Sequence, residues 1–199
     1  MALGLYELIN NINKQIKSIC CKVNALLDSG AGSYKVYTAL LTQSGGDTGS
    51  ERNDGDLIVG VTYTIQNSGG DFTNVGAPNN NVGTSFVATG TTPNNWGGST
   101  LAYVEGAPVV TVLENTIGNI WFTYNDVGVY HINSIGLFNE NKTFVTISPT
   151  VQNSGDSLGQ TIQFVGGSES TINTLVIQTE GALQDGIPNN TPIEIRVYS

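Results

Sequence analysis

LYELINNINKQIKSICCKVNALL, residues 5–27, places apolar residues in a 4-3-4-3 rhythm: Leu5, Ile9, Ile12, Ile16, Ile19, Val23 and Leu26. With Ile9, Ile16 and Val23 at a, and Leu5, Ile12, Ile19 and Leu26 at d, the seam is unbroken. A repeat of 3.5 residues favours helices that supercoil on one another, because the stripe then stays turned to its partner. β-Branched residues at both a and d move the preference from two strands towards three or four. The expected assembly is a parallel homotrimer, ahead of a tetramer and then a dimer. Leu3, Leu8 and Leu27 widen the stripe, and a wide stripe also suits an amphipathic helix packed on its own domain. The rhythm holds at every step over three heptads, which puts the coiled coil first. At about 1.5 Å per residue the helix spans roughly 35 Å, too short to hold a bundle together unaided.

Working outward, Asp28-Ser29-Gly30-Ala31-Gly32-Ser33 closes the helix, with Gly30 suited to the left-handed C′ position. From Tyr34 the apolar period changes to two. Strands are expected over 34–43, 56–66, 84–89, 100–105, 109–114, 119–124, 129–137, 143–148, 160–165, 171–178 and 191–198, with a short segment at 71–75 and glycine-rich loops at 44–55 and 90–99. In the last strand Ile193, Ile195 and Val197 alternate with Glu194, Arg196 and Tyr198, the mark of a half-buried strand. Short strands at turn spacings, with no second helix and no fixed repeat, predict an antiparallel all-β sandwich or jelly-roll-like fold. The predicted organisation is a helical trimerisation and attachment segment at 1–28, a hinge at 29–33 and a β domain at 34–199. The predicted fold class is therefore an N-terminal α-helical coiled coil followed by that β domain.

Composition narrows the function. Charged residues are only 12%, about half the usual share, and 25 of 199 residues are glycine. Apolar residues reach 39%, too many for a disordered chain. The net charge is −9. Residues 1–28 hold three lysines against two acids, so the acidity belongs to the β region. Three copies would carry about −27, a body that repels a phosphate backbone and stays dispersed at high copy number. Nucleic acid is not an expected partner. Cys20 and Cys21 are adjacent on the helix, about 100° apart, and an intrachain bridge between them is implausible. With no cysteine in the β region, assembly in a reducing cytoplasm is expected. The start of the chain has neither a basic n-region nor a long apolar run, so neither a signal peptide nor a membrane span is expected. Work outside a cell would then need lysis or carriage on a particle.

Catalytic signals are sparse. His131 is the one histidine, set in a β pattern with no metal-ligand spacing around it. No nucleophile elbow, P-loop or dinucleotide fingerprint occurs. Asn53-Asp54-Gly55-Asp56 clusters oxygen ligands but lacks the rest of a calcium loop, and reads as a turn. Asp71, Glu105, Glu114 and Asp126 include no pair that spacing singles out as a glycosidase dyad. No catalytic residue, metal or cofactor is expected. Trp121, between Ile120 and Phe122, reads as core. Trp96, in the loop Pro93–Gly98, is the candidate for an exposed ligand contact, with packing on its own sheet as the competing role.

Three stretches carry a resemblance: Tyr63-Thr64-Ile65, Gly70-Asp71-Phe72-Thr73-Asn74-Val75-Gly76-Ala77-Pro78, and Asn81-Val82-Gly83-Thr84-Ser85-Phe86-Val87-Ala88-Thr89-Gly90. Together they resemble a phrase of tailed-bacteriophage structural proteins, of the shape DFT-x-[IV]-GA…N-x-VGT-x-F-x-ATG. Residues 112–121 and the ending 193–198 are similar to phage head- or tail-fibre proteins, with the flavour of crAss-like phages of gut Bacteroidales. The resemblance covers about half the chain and brings no catalytic residue with it. It implies a virion surface protein, assembled in the host cytoplasm and released with the particle. A short chain fits a head fibre better than a shafted tail fibre. The implied partners are further copies of the chain, the capsid or a protein decorating it, and host or mucus glycans. A receptor-binding tail fibre or spike is the alternative, and a depolymerase on the same scaffold comes third.

Overall fold

Tyr34 begins the first of twelve described strands, and every strand pair with an assigned register is antiparallel. A computed structural model of the chain describes residues 2–30, 34–148, 159–165, 170–177, 183–186 and 188–199; side chains are described at 4, 6–22, 34–148, 183–186 and 188–199. Two compact units result: residues 1–34 with 198–199, and Lys35–Val197.

The first unit is built on helix α1, Ala2–Gly30. No proline and no glycine interrupts it between Leu5 and Ser29. It has no acid in its first turn and no base in its last, so its dipole goes unassisted. Asn10, Asn11 and Asn13 are poor helix formers. Gly30 lies inside the helix rather than just beyond it, and residues 31–33 of the predicted hinge lie outside the described residues.

The second unit contains three four-stranded sheets. The first is formed by β1 (Tyr34–Thr42), β6 (Val109–Asn115), β9 (Thr143–Ile147) and β12 (Thr191–Tyr198), in the order β6-β1-β12-β9. The second is formed by β7 (Trp121–Asp126), β8 (Val129–Ser134), β10 (Gly159–Val165) and β11 (Ser170–Ile177), in the order β10-β11-β8-β7. The third is formed by β2 (Gly49–Arg52), β3 (Thr62–Ile65), β4 (Ser85–Val87) and β5 (Leu101–Val104), in the order β2-β5-β3-β4.

Alternation explains what each sheet buries. On β1, Tyr37, Ala39 and Leu41 point inward to meet Val110, Phe122, Ile132, Ile193 and Ile195 in one core. Trp121 belongs to that core, as its neighbours suggested. On the third sheet, Tyr63, Ile65, Phe86 and Leu101 join Leu57, Val61, Phe72 and Val75 in a second core. Full burial of each such side chain contributes about 1.5–3 kcal/mol. The second core exists because 57–61 and 72–77 send their apolar residues into the third sheet instead of pairing as strands.

The predicted coiled coil followed by a sandwich or jelly roll is therefore corrected. One helix is described and no second helix lies beside it among the described residues, so a coiled coil is not shown. The strands make three sheets around two cores rather than two sheets around one. A heptad rhythm reports which face of a helix is apolar, not what covers it. Likewise, a period of two marks strand faces without naming their partners. Local boundaries moved for physical reasons too. The predicted strand 56–66 survives only as β3, because Gly60 has φ +88°, a conformation L side chains avoid. There Leu57 and Val61 turn inward while Ile58 and Val59 stay half-exposed. The predicted loop 44–55 contains β2, a strand of charged and small residues with no apolar signal to show it.

Candidate functional site

Four side chains of the predicted seam are described: Ile9, Ile12, Ile16 and Ile19, exposed at 47, 47, 52 and 59%. Tyr6 and Leu8 are exposed as well. The side chains of Leu5, Val23 and Leu26 lie outside the described residues. One helix thus presents a row of β-branched apolar residues to its surroundings. Cys20 and Cys21 are free and exposed on the same helix.

The phrase around Asp71 forms a polar knot under the second core. Asp71 Oδ1 accepts from Thr73 N at 3.1 Å, Thr73 Oγ1 at 2.7 Å and Asn80 Nδ2 at 3.1 Å, while Oδ2 accepts from Asn94 Nδ2 at 3.0 Å. These bonds, Thr73's first, hold the carboxyl well below the usual carboxylate range. Phe72 N donates to Asn80 Oδ1, and Asn94 N to Asn74 Oδ1. Phe72 and Val75 are buried, and Gly76 ends a 3-10 turn over Thr73–Val75 with φ +111°. Asp71, Thr73 and Asn74, the polar residues of this stretch, are thereby occupied in shaping the backbone.

Trp96 sits half-buried beside this knot. Its indole N–H donates to Gly55 O at 3.1 Å and its ring meets Phe72 edge-on, 5.4 Å between centroids. Packing on its own sheet, the competing role, therefore engages much of this side chain. Residues 53–55 form a bend, with Gly55 at φ +71°.

A second polar knot ties the loop before β12 to the β7–β8 hairpin. Asp185 accepts from Tyr124 Oη at 2.8 Å, Tyr130 Oη at 2.9 Å and Gly128 N at 2.8 Å. Burial, then this carboxylate, pushes the Tyr124 phenol up to about 12. The buried Gln43 amide bonds to Gly45 O, Gly106 O and Gly186 N, so three loops close on one side chain. His131, on β8, is half-buried, and burial pushes its imidazole below the ordinary value. Among the described residues no group of three His, Cys, Asp or Glu could hold a metal ion. No described helix is long and apolar enough to cross a membrane.

A groove of about 630 Å³ lies between the third sheet and β7. Glu51, Thr62, Thr64, Gln66, Ala102 and Thr123 line it. Thr62, Thr64 and Gln66 reach it because they alternate with the core-facing Tyr63 and Ile65. Phe122 N donates to Thr62 Oγ1 at 3.1 Å, which fastens β7 to the floor of the groove.

Comparison with protein families, curated proteins and solved structures gave no match. The site therefore stands on its own residues. Sequence reasoning selected Trp96 and passed over this groove. Its threonines lie on different strands, and only the alternation on β3 hinted that Thr62 and Thr64 face away from the core.

Proposed function

We propose that the chain is a non-enzymatic structural protein of a tailed-bacteriophage virion. It acts as a homotrimeric head fibre, assembled in the host cytoplasm, that docks through α1 on the capsid or on a protein decorating it. The β unit is then the part presented outward. The observation that carries the reading is the exposed isoleucine row on α1. Supporting it, the phage-like phrase belongs to a body whose distinctive residues are used for folding. Taking up the half of each isoleucine still exposed contributes about 0.8–1.5 kcal/mol, or about 3–6 kcal/mol per chain for four. Association costs about 4–15 kcal/mol per step, so contacts between the β units are expected to add to the seam.

A second reading, a receptor-binding tail fibre or spike recognising host glycans, is favoured by the groove beside β7. Immunogold labelling of the intact particle with an antibody to the β unit separates the two. Gold over the head supports the first reading, gold at the tail tip the second, and an unlabelled particle overturns both.

A further inference from the structure

The groove between the third sheet and β7 has an unusual hydrogen-bonding inventory. Thr62 is only 6% exposed, and its Oγ1 accepts from Phe122 N at 3.1 Å. Thr123 Oγ1 accepts from Asn133 Nδ2 at 3.1 Å. A hydroxyl that accepts keeps its own proton to give, and among the described residues neither proton has an acceptor. Two donors thus line the groove with their obligations open. Beside them, Gln66 contributes an exposed amide and Glu51 an exposed carboxylate. Among the described residues no Lys, Arg or His lines the groove, and the chain carries −9 overall.

We propose that this groove binds a neutral, polyhydroxylated ligand, the chemistry of a glycan segment. Its volume lies within the roughly 300–1,000 Å³ typical of small-molecule sites. Hydroxyl protons, an amide and a carboxylate match sugar hydroxyls, which both donate and accept. An anionic ligand meets Glu51 and no compensating cation. A peptide adding to the free edge of β7 finds the Phe122 N–H already engaged by Thr62. The walls are fixed in advance by that bond and by the 2.8 Å Thr64–Ser85 hydroxyl pair, so little ordering opposes binding. The inference deepens the second reading above, glycan recognition through this groove, whose own test is the place of the gold label, and it concerns a single chain. Its failure leaves the oligomeric state, on which the fibre reading rests, untouched.

The test is calorimetric titration of the full chain with cellohexaose, mannohexaose, xylohexaose and maltohexaose, and with hexagalacturonate as the anionic counterpart. At least one neutral hexamer is expected to saturate the protein with a dissociation constant near or below about 1 mM. Thr123→Val is expected to weaken binding about tenfold, the scale of one hydrogen bond, and Ala102→Trp to abolish it by filling the floor. Should Thr123→Val fail to fold, Gln66→Ala and Glu51→Ala, both at exposed positions, must each weaken the binding severalfold. Absence of heat from every neutral hexamer up to about 10 mM, tighter binding of hexagalacturonate, or binding unchanged by Ala102→Trp would each overturn the proposal.

Discussion

Replacing Gly76 by alanine tests whether the DFTNVGA phrase is a folding device. Gly76 closes the 3-10 turn at φ +111°, ψ −7°. A Cβ built there lies 2.5 Å from Val87 O, 3.2 Å from Thr89 Oγ1 and 3.3 Å from Thr89 Cγ2. The first neighbour is backbone on β4 and cannot swing aside. Relief requires the turn to back away, which stretches the bonds from Ala77 N to Phe72 O (3.2 Å) and from Thr89 N to Val75 O (2.9 Å). The left-handed conformation costs an L residue about 1–2 kcal/mol, and overpacking adds about 1–3. The expected loss is about 2–5 kcal/mol, against a typical domain stability of about 5–15. At about 2–4 °C per kcal/mol for a domain of this size, the melting temperature should fall by about 4–20 °C. Gly83→Ala is the control, because its φ is +84° and nothing lies within 4 Å of the added carbon. It carries the conformational cost alone, about 1–2 kcal/mol. Thermal unfolding followed by circular dichroism reads both. A Gly76→Ala protein that melts with the wild type, or no lower than Gly83→Ala, would refute the reasoning.

Tyr37 is 1% exposed, and among the described residues its hydroxyl has no hydrogen-bond partner. Tyr37→Phe should thus be neutral or stabilising, by up to about 1–3 kcal/mol in urea unfolding; a clear loss of stability would mean that the hydroxyl is satisfied. Asp71 has a native carboxyl below its ordinary 3.8, so the stability it supplies is present above that value and drains away as pH falls through it towards the native value. Asp71→Asn should be less stable than wild type at neutral pH, with a gap that narrows below about pH 4. A gap of the same size at both ends of that range would contradict the assignment.

Legibility differed between the two units for a physical reason. The helix was plain from Leu5 to Leu27, because apolar residues spaced 3.5 apart over several turns line up on one face only when the backbone is helical. β1, β6, β9 and β12 were close to their expected spans, since long alternations such as Ile193, Ile195 and Val197 name their own buried face. β2 was invisible, because Gly49-Ser50-Glu51-Arg52 pairs by its backbone and buries no apolar side chain. β3, β4 and β5 fall inside expected strands, but their grouping around a core of their own was hidden: Leu57, Val61, Phe72 and Val75 reach it from loops, where no period applies. Trp96 drew attention as a large aromatic in a glycine-rich loop. Its partners Gly55 and Phe72 lie 41 and 24 positions away, and sequence spacing carries no trace of either contact. The groove escaped for a related reason. Its open donors become visible only when Thr62 is seen to accept from Phe122, sixty residues away.

The central claim is that the isoleucine face of α1 is covered by further copies of the chain. Light scattering coupled to gel filtration of the full-length protein tests it most directly. The account predicts a molar mass near three times the 21.0 kDa of one chain, falling to a single chain's mass when Ile12 and Ile16 are both changed to asparagine. A wild-type protein that elutes with the mass of one chain would contradict it.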